Sequence, residues 1–229
     1  MSKDKNIPKS KKKYIKISIV ALFVVAVMAS FIYANKGEKG VSFPSPVQDG
    51  KIVITENDRV QGPTDAKITF VEYSDFQCPY CIKFHATMEK VMKEYDGKVR
   101  WVYRHSPLPF HKAAPKAAEA AECAGDQGKF WEYATVLTKN SQPDGKGLAV
   151  SDLKKYSKEL ALNEQQFESC LSDGKFKTKI NLDLASGKKL GVQGTPATFM
   201  IDDKGNSQLI SGAQPFEQVK IKIEEVLNK

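Results

Sequence analysis

Lys67-Ile68-Thr69-Phe70-Val71-Glu72-Tyr73 leads, through Ser74-Asp75, into Phe76-Gln77-Cys78-Pro79-Tyr80-Cys81. The first stretch is rich in β-branched and aromatic residues, the composition of a strand. The second opens a segment, Ile82 to Tyr95, in which Phe84, Met88, Val91, Met92 and Tyr95 recur at steps of three and four. That spacing predicts a helix with one buried face. Two cysteines three apart at a helix start can face each other, close a small ring, and open it again.

A thiolate, not a thiol, attacks a disulfide, so such a site must lower an ordinary cysteine pKa of about 8.5. The free N–H groups and dipole of a helix N-terminus favour negative sulfur. Cys78 is therefore expected to be the exposed nucleophile, and Cys81, one turn deeper, the thiol that resolves a mixed disulfide. Pro79 suits the first helical turn, because it has no N–H to lose and its φ is already helical. Tyr80 is the variable element of the motif. Two other readings fit a bare Cys-x-x-Cys: a static local bridge, or half a zinc site. Zinc needs two more ligands in reach, and Cys123 and Cys170 lack such spacing, so no metal is expected.

Asp96-Gly97 ends the helix, and Val99-Arg100-Trp101-Val102-Tyr103-Arg104 reads as a second strand, parallel to the first through a right-handed crossover. Helical stretches follow at Lys112–Cys123, Phe130–Leu137, Asp152–Leu160 capped by Ser151, and Glu164–Leu171 capped by Asn163. Gly174 then separates off a helix of about Lys175–Leu190. The pattern returns to strand at Ala197–Ile201, turns at Asp202-Asp203-Lys204-Gly205, returns over Ser207–Ser211, and ends in a helix from Pro215-Phe216. Lys51–Ile54 predicts a short edge strand, and Gly62-Pro63-Thr64-Asp65 a turn. The order β-α-β, helical insert, β-β-α makes an α/β sheet interrupted by helices over about residues 112–190, in a domain of residues 51–229. Asp75 reads as a turn residue before the helix. His85, His105 and His111 form no cluster, and His85 is expected at the surface. Trp101 and Trp131 read as core or groove aromatics.

The net charge of +8 would fit a nucleic-acid partner if it were spread over the domain. Residues 1–16 hold seven lysines against one acid, Asp4, for a local +6, which leaves only +2 for the rest. No nucleic-acid partner is expected. The nineteen residues from Ile17 to Asn35 carry no formal charge and, as a helix, would span about 28 Å, close to a bilayer core. Residues 1–16 then read as a basic cytoplasmic tail, 17–35 as a transmembrane signal anchor and 36–50 as a polar linker, with the domain outside the cytoplasm. A cleaved signal peptide is the alternative; Val27-Met28-Ala29 would serve it weakly. Four cysteines in an exported domain suit an oxidising compartment.

The CxxC after a strand, with Gly194-Thr195-Pro196-Ala197-Thr198-Phe199 about 115 residues later, resembles the thioredoxin superfamily. The helical insert, Glu119-Ala120-Ala121-Glu122-Cys123-Ala124 and Gly128-Lys129-Phe130-Trp131 make it similar to the DsbA-like thiol-disulfide oxidoreductases of the membrane-anchored bacterial type. The resemblance covers roughly residues 50–228. It implies a thioredoxin-like fold with a helical insertion, preceded by one transmembrane helix.

That resemblance further implies a cis peptide bond at Pro196, with Thr195-Pro196 beside the CxxC binding substrate. It implies a buried acid at Glu72 able to exchange a proton with Cys81; an edge carboxylate facing water is the other reading. It implies a structural Cys123–Cys170 disulfide in the insert. Strong oxidants of the family often carry histidine where this chain has Tyr80. The expected function is introduction of disulfides into exported proteins, with no cofactor beyond the Cys78-Cys81 disulfide. Its expected partners are exported proteins bearing thiols, a quinone-linked membrane protein of the DsbB type, and the membrane itself. A reductase or isomerase using the same site, and a redox-inert binding or chaperone module, are the alternatives.

Overall fold

In a computed structural model residues 44–228 are described, and the expected tail, anchor and most of the linker lie outside the described residues. Among the described residues no helix is long and apolar enough to cross a membrane. The frame is a five-stranded sheet in the order β3-β5-β4-β6-β7. Its strands are β3 (Arg59–Gln61), β4 (Ile68–Ser74), β5 (Val99–His105), β6 (Ala197–Asp202) and β7 (Ser207–Ser211). β4 pairs parallel with β5 and antiparallel with β6, so it is the central strand. Every residue of β4 is buried, as a strand covered on both faces must be.

The two faces of β4 follow from its two-residue period. Ile68 and Phe70, with Val99, Trp101 and Tyr103 of β5, pack against α1 (Pro79–Glu94) and α7 (Phe216–Leu227) through Phe84, Met88, Val91, Val219 and Ile223. The insert continues this core with α2 (Ala114–Gly125), α3 (Phe130–Asn140), α4 (Val150–Glu159), α5 (Glu164–Asp173) and α6 (Lys177–Lys189). On the other face Val71, Tyr73, Val102 and Phe199 meet Ile52, Ile54, Leu190 and Val192. There α6 comes so close that a Cβ on Gly187 would lie 3.0 Å from the Tyr73 ring, which explains a glycine inside a helix.

The predicted order stands, with local differences. Folded chain begins before residue 51: β1 (Val47–Gln48) pairs with β2 (Lys51–Ile52), so the end of the expected linker is a small hairpin. The buried Arg104 guanidinium holds it, donating to Pro46 O at 3.1 Å, Val53 O at 2.6 Å and both oxygens of Asp58. β3 was not expected; three residues of mixed polarity carry no periodic signal. α4 begins at Val150 rather than after Ser151, with Asp152 accepting from the Ala149 N–H at 3.3 Å. Asn163 caps α5 as expected, accepting from Gln166 N at 2.9 Å.

Cys123 of α2 and Cys170 of α5 are joined as a disulfide across 47 residues of sequence. Closing a loop of that length restricts the unfolded chain by about 4 kcal/mol in the chain-entropy account. The double variant Cys123→Ala, Cys170→Ala should lower unfolding free energy by roughly that amount in urea titrations. An unchanged midpoint would deny the bridge a stabilising part.

Candidate active site

Cys78 is the N-cap of α1, with extended backbone (φ −76°, ψ 121°), and Pro79 opens the first turn. The N–H groups that follow are the unpaired donors of a helix start. The neighbouring Cys81 thiol and the Cys81 and Tyr80 N–H groups favour the Cys78 anion. Together they outweigh burial and hold the Cys78 thiol down at about 6. Cys81 goes the other way: burial first, then the neighbouring Cys78, push it well above the usual thiol range. One turn of helix thus separates a thiol that ionises readily from one that resists it.

Cys78 is less open than expected, at 3 % exposure. The Thr195-Pro196 segment covers it, with Cys78 Sγ donating to Thr195 O at 3.5 Å. The Thr195-Pro196 peptide bond is cis. Tyr80, between the two cysteines in sequence, exposes its ring.

Glu72 is fully buried on β4, opposite Tyr103 of β5 and Thr198 of β6. The edge-carboxylate reading is therefore excluded. Its Oε2 accepts from the Trp101 indole N–H at 2.9 Å, and its Oε1 has no partner among the described residues. Burial pushes this carboxyl up to about 7, partly offset by the nearby Ser74 side chain and the Trp101 indole N–H.

Asp75 does more than make a turn. Its carboxylate accepts from Gln77 N at 2.7 Å, Leu108 N at 2.7 Å and His111 Nδ1 at 2.8 Å, while its own N–H points to Cys81 Sγ at 3.4 Å. Gln77 reaches the insert, accepting from Ala113 N at 2.9 Å and donating to Pro143 O at 3.1 Å. An acid two residues before a backbone N–H at a helix start is an Asx-turn signal; its long-range partners have no such mark. His85 is a correction: it is buried against Trp101, 5.0 Å between ring centroids, and burial lowers its pKa to about 4. The apolar stripe of α1 is wider than its apolar residues suggested, because the helix is covered by sheet and insert at once. The histidines form no cluster; each meets a different acid, Glu89, Glu122 or Asp75.

A strand-to-helix CxxC beneath a cis-proline loop, inside this sheet order, matches the thioredoxin family over residues 54–225. The chain belongs to that family. Among solved structures it is similar to a thioredoxin-like oxidoreductase from Silicibacter pomeroyi, at 26% identity and TM-score 0.65 over 76% of this chain and 95% of that one. It shares its fold with Wolbachia pipientis alpha-DsbA1, at 24% identity and TM-score 0.67 over 77% and 94% of the two chains. Oxidised BdbD from Bacillus subtilis is also alike in fold, at 24% identity and TM-score 0.65 over 76% and 94%. The fold neighbours are thus DsbA-like. Among curated proteins, the Na(+)/H(+) antiporter NhaA 3 of Salinispora tropica is 37% identical over 146 residues, 63% of this chain and 22% of that protein. The Na(+)/H(+) antiporter NhaA of Herminiimonas arsenicoxydans is 32% identical over 72% of this chain and 25% of its own length. The chain spans about a quarter or less of these curated relatives.

Two titrations test the site. Alkylation of Cys78 in the reduced protein, read by mass, should rise with pH to a midpoint near about 6 while Cys81 stays unmodified. Glu72 binds its proton more tightly when folded, about 7 against an ordinary 4.5, so it lowers stability as pH rises between those values. Glu72→Gln should therefore gain on the reduced wild type by about 2–3 kcal/mol between pH 5 and 8. Parallel stability curves would contradict a raised carboxyl.

Proposed function

We propose that the chain is a DsbA-like thiol-disulfide oxidoreductase that introduces disulfides into exported proteins. The observation that carries this is the split between Cys78 and Cys81 at the start of α1: one thiol held down, the other pushed up. A low pKa at Cys78 stabilises the reduced form, and a stabilised reduced form makes the disulfide a better oxidant.

A substrate thiolate attacks Cys78 Sγ, the Cys78–Cys81 bond breaks, and its electron pair goes to Cys81, which takes a proton from Glu72. A second substrate thiolate then attacks the substrate sulfur of the mixed disulfide. The new disulfide leaves in the substrate, and Cys78 leaves as its favoured thiolate. The Thr195-Pro196 segment, already against Cys78, offers extended backbone to the substrate chain. No bound cofactor is required; the dithiol needs an electron acceptor, for which a DsbB-type quinone-linked membrane protein is proposed. Residues 17–35 would tether the domain outside the cytoplasm, with residues 1–16 on the cytoplasmic side. A membrane home is in keeping with curated relatives named as ion antiporters.

Oxidation of a reduced two-cysteine peptide measures the activity. Cys78→Ser should abolish it, and Cys81→Ala should accumulate mixed disulfides with substrate. Full oxidation by Cys78→Ser would sink the assignment in favour of a redox-inert binding module. The reduction potential of the pair sets direction: near about −120 mV supports the oxidase, near about −270 mV a reductase.

A further inference from the structure

In the reaction proposed above Glu72 and Cys81 exchange a proton, yet no hydrogen bond joins them among the described residues. Glu72 Oε2 is taken by Trp101, and Oε1 has no partner. Ser74 stands two residues after Glu72 on β4, so both side chains leave the same face of the strand. It is buried, and the next residue, Asp75, directs its N–H at Cys81 Sγ, 3.4 Å away. The strand end carrying Ser74 therefore lies against the sulfur, with Glu72 one side-chain step behind.

Resting on the thiol-disulfide reading above, we propose that the Ser74 hydroxyl is the proton bridge between Glu72 and Cys81. A hydroxyl donates one hydrogen bond and accepts two, so it can give a proton on one side while taking one on the other. The Ser74 side chain acts on Glu72, Cys81 and Tyr103 alike, favouring the anion of each. Tyr103 is no competitor, because burial and the charge of Glu72 keep its phenol protonated.

When substrate attacks Cys78 and the Cys78–Cys81 bond breaks, the electron pair goes to Cys81 Sγ. The Ser74 hydroxyl proton passes to that sulfur as the Glu72 carboxyl proton passes to Ser74 Oγ. Cys81 ends as a thiol, Ser74 as a neutral hydroxyl and Glu72 as a carboxylate. In the reverse direction the Cys81 thiol gives its proton through Ser74 to the Glu72 carboxylate. The Cys81 thiolate then attacks Cys78, and the partner leaves as a thiolate.

The reverse step is measurable alone: Cys78 is loaded with glutathione, and its release by Cys81 is followed against pH. In the wild type the rate should rise through about 7, with the Glu72 carboxylate. Ser74→Ala should slow release about tenfold and lose that inflection, with the Cys78 alkylation midpoint unmoved and Ser74→Thr restoring the profile. A Ser74→Ala profile that superimposes on the wild type overturns the bridge, even where Glu72→Gln slows release. A second measurement needs no variant. Wild-type release in H2O–D2O mixtures should curve as two protons moving together require, and a straight line overturns the bridge. Absence of release in the wild type itself would instead defeat the oxidoreductase reading on which the bridge rests.

Discussion

The Asp75 carboxylate holds the junction on which the site depends. It is buried and takes three donors at 2.7–2.8 Å: Gln77 N, Leu108 N and His111 Nδ1. The first closes the turn from β4 into α1. The other two come from the loop after β5, at the entrance to the insert. Sheet, catalytic helix and insert thus meet at one acceptor, and the backbone of that same residue faces Cys81. Hydrogen bonds to a charged group are worth more than neutral ones, about 1.5–3 kcal/mol each. A shift at this residue would move the helix N-terminus whose free N–H groups stabilise the Cys78 thiolate.

The chemistry follows from how little distance separates opposite environments. Cys78 caps the helix and takes hydrogen bonds; Cys81 lies a turn further in and loses water without equal repayment. Glu72 lies deeper still, on a strand with no exposed residue. An isolated buried carboxylate is costly, so the group holds its proton to about 7. The same burial that raises Cys81 keeps the Glu72 carboxyl protonated to about 7.

The central strand, the helix after it, the insert and the returning strands were legible because each is a periodic or punctuated run. The CxxC was legible as chemistry, since two thiols at a helix start have few other uses. Tertiary packing was not legible. His85 looks like a surface residue until the insert covers its side of α1. Arg59–Gln61 is too short and too polar to announce a strand, yet Arg59 reaches Glu122, 63 residues away, at 2.7 Å. Partners so far apart in sequence leave no local pattern. Glu72 was readable as an acid on a strand; only the strand's central place decided that it is dry.

The charged cluster behind the site shows why such pairings matter. Glu122 of α2 is fully buried and meets Arg59 of β3, His105 at the end of β5 and Lys179 of α6. Lys179 also meets Asp183 at 2.9 Å, and Asp183 accepts the His105 N–H. Burial pushes the Glu122 carboxyl up, but Lys179, His105 and Arg59 together pull it well below its ordinary range. Its folded state therefore releases a proton that the unfolded chain keeps, and its contribution is present above the ordinary carboxylate range and lost in acid. Glu72 has the opposite linkage, costing stability as pH rises toward about 7. Two buried glutamates in one domain thus differ by their partners: Glu122 meets Arg59, His105 and Lys179 and holds insert to sheet, while Glu72 has one indole N–H and keeps its proton to about 7.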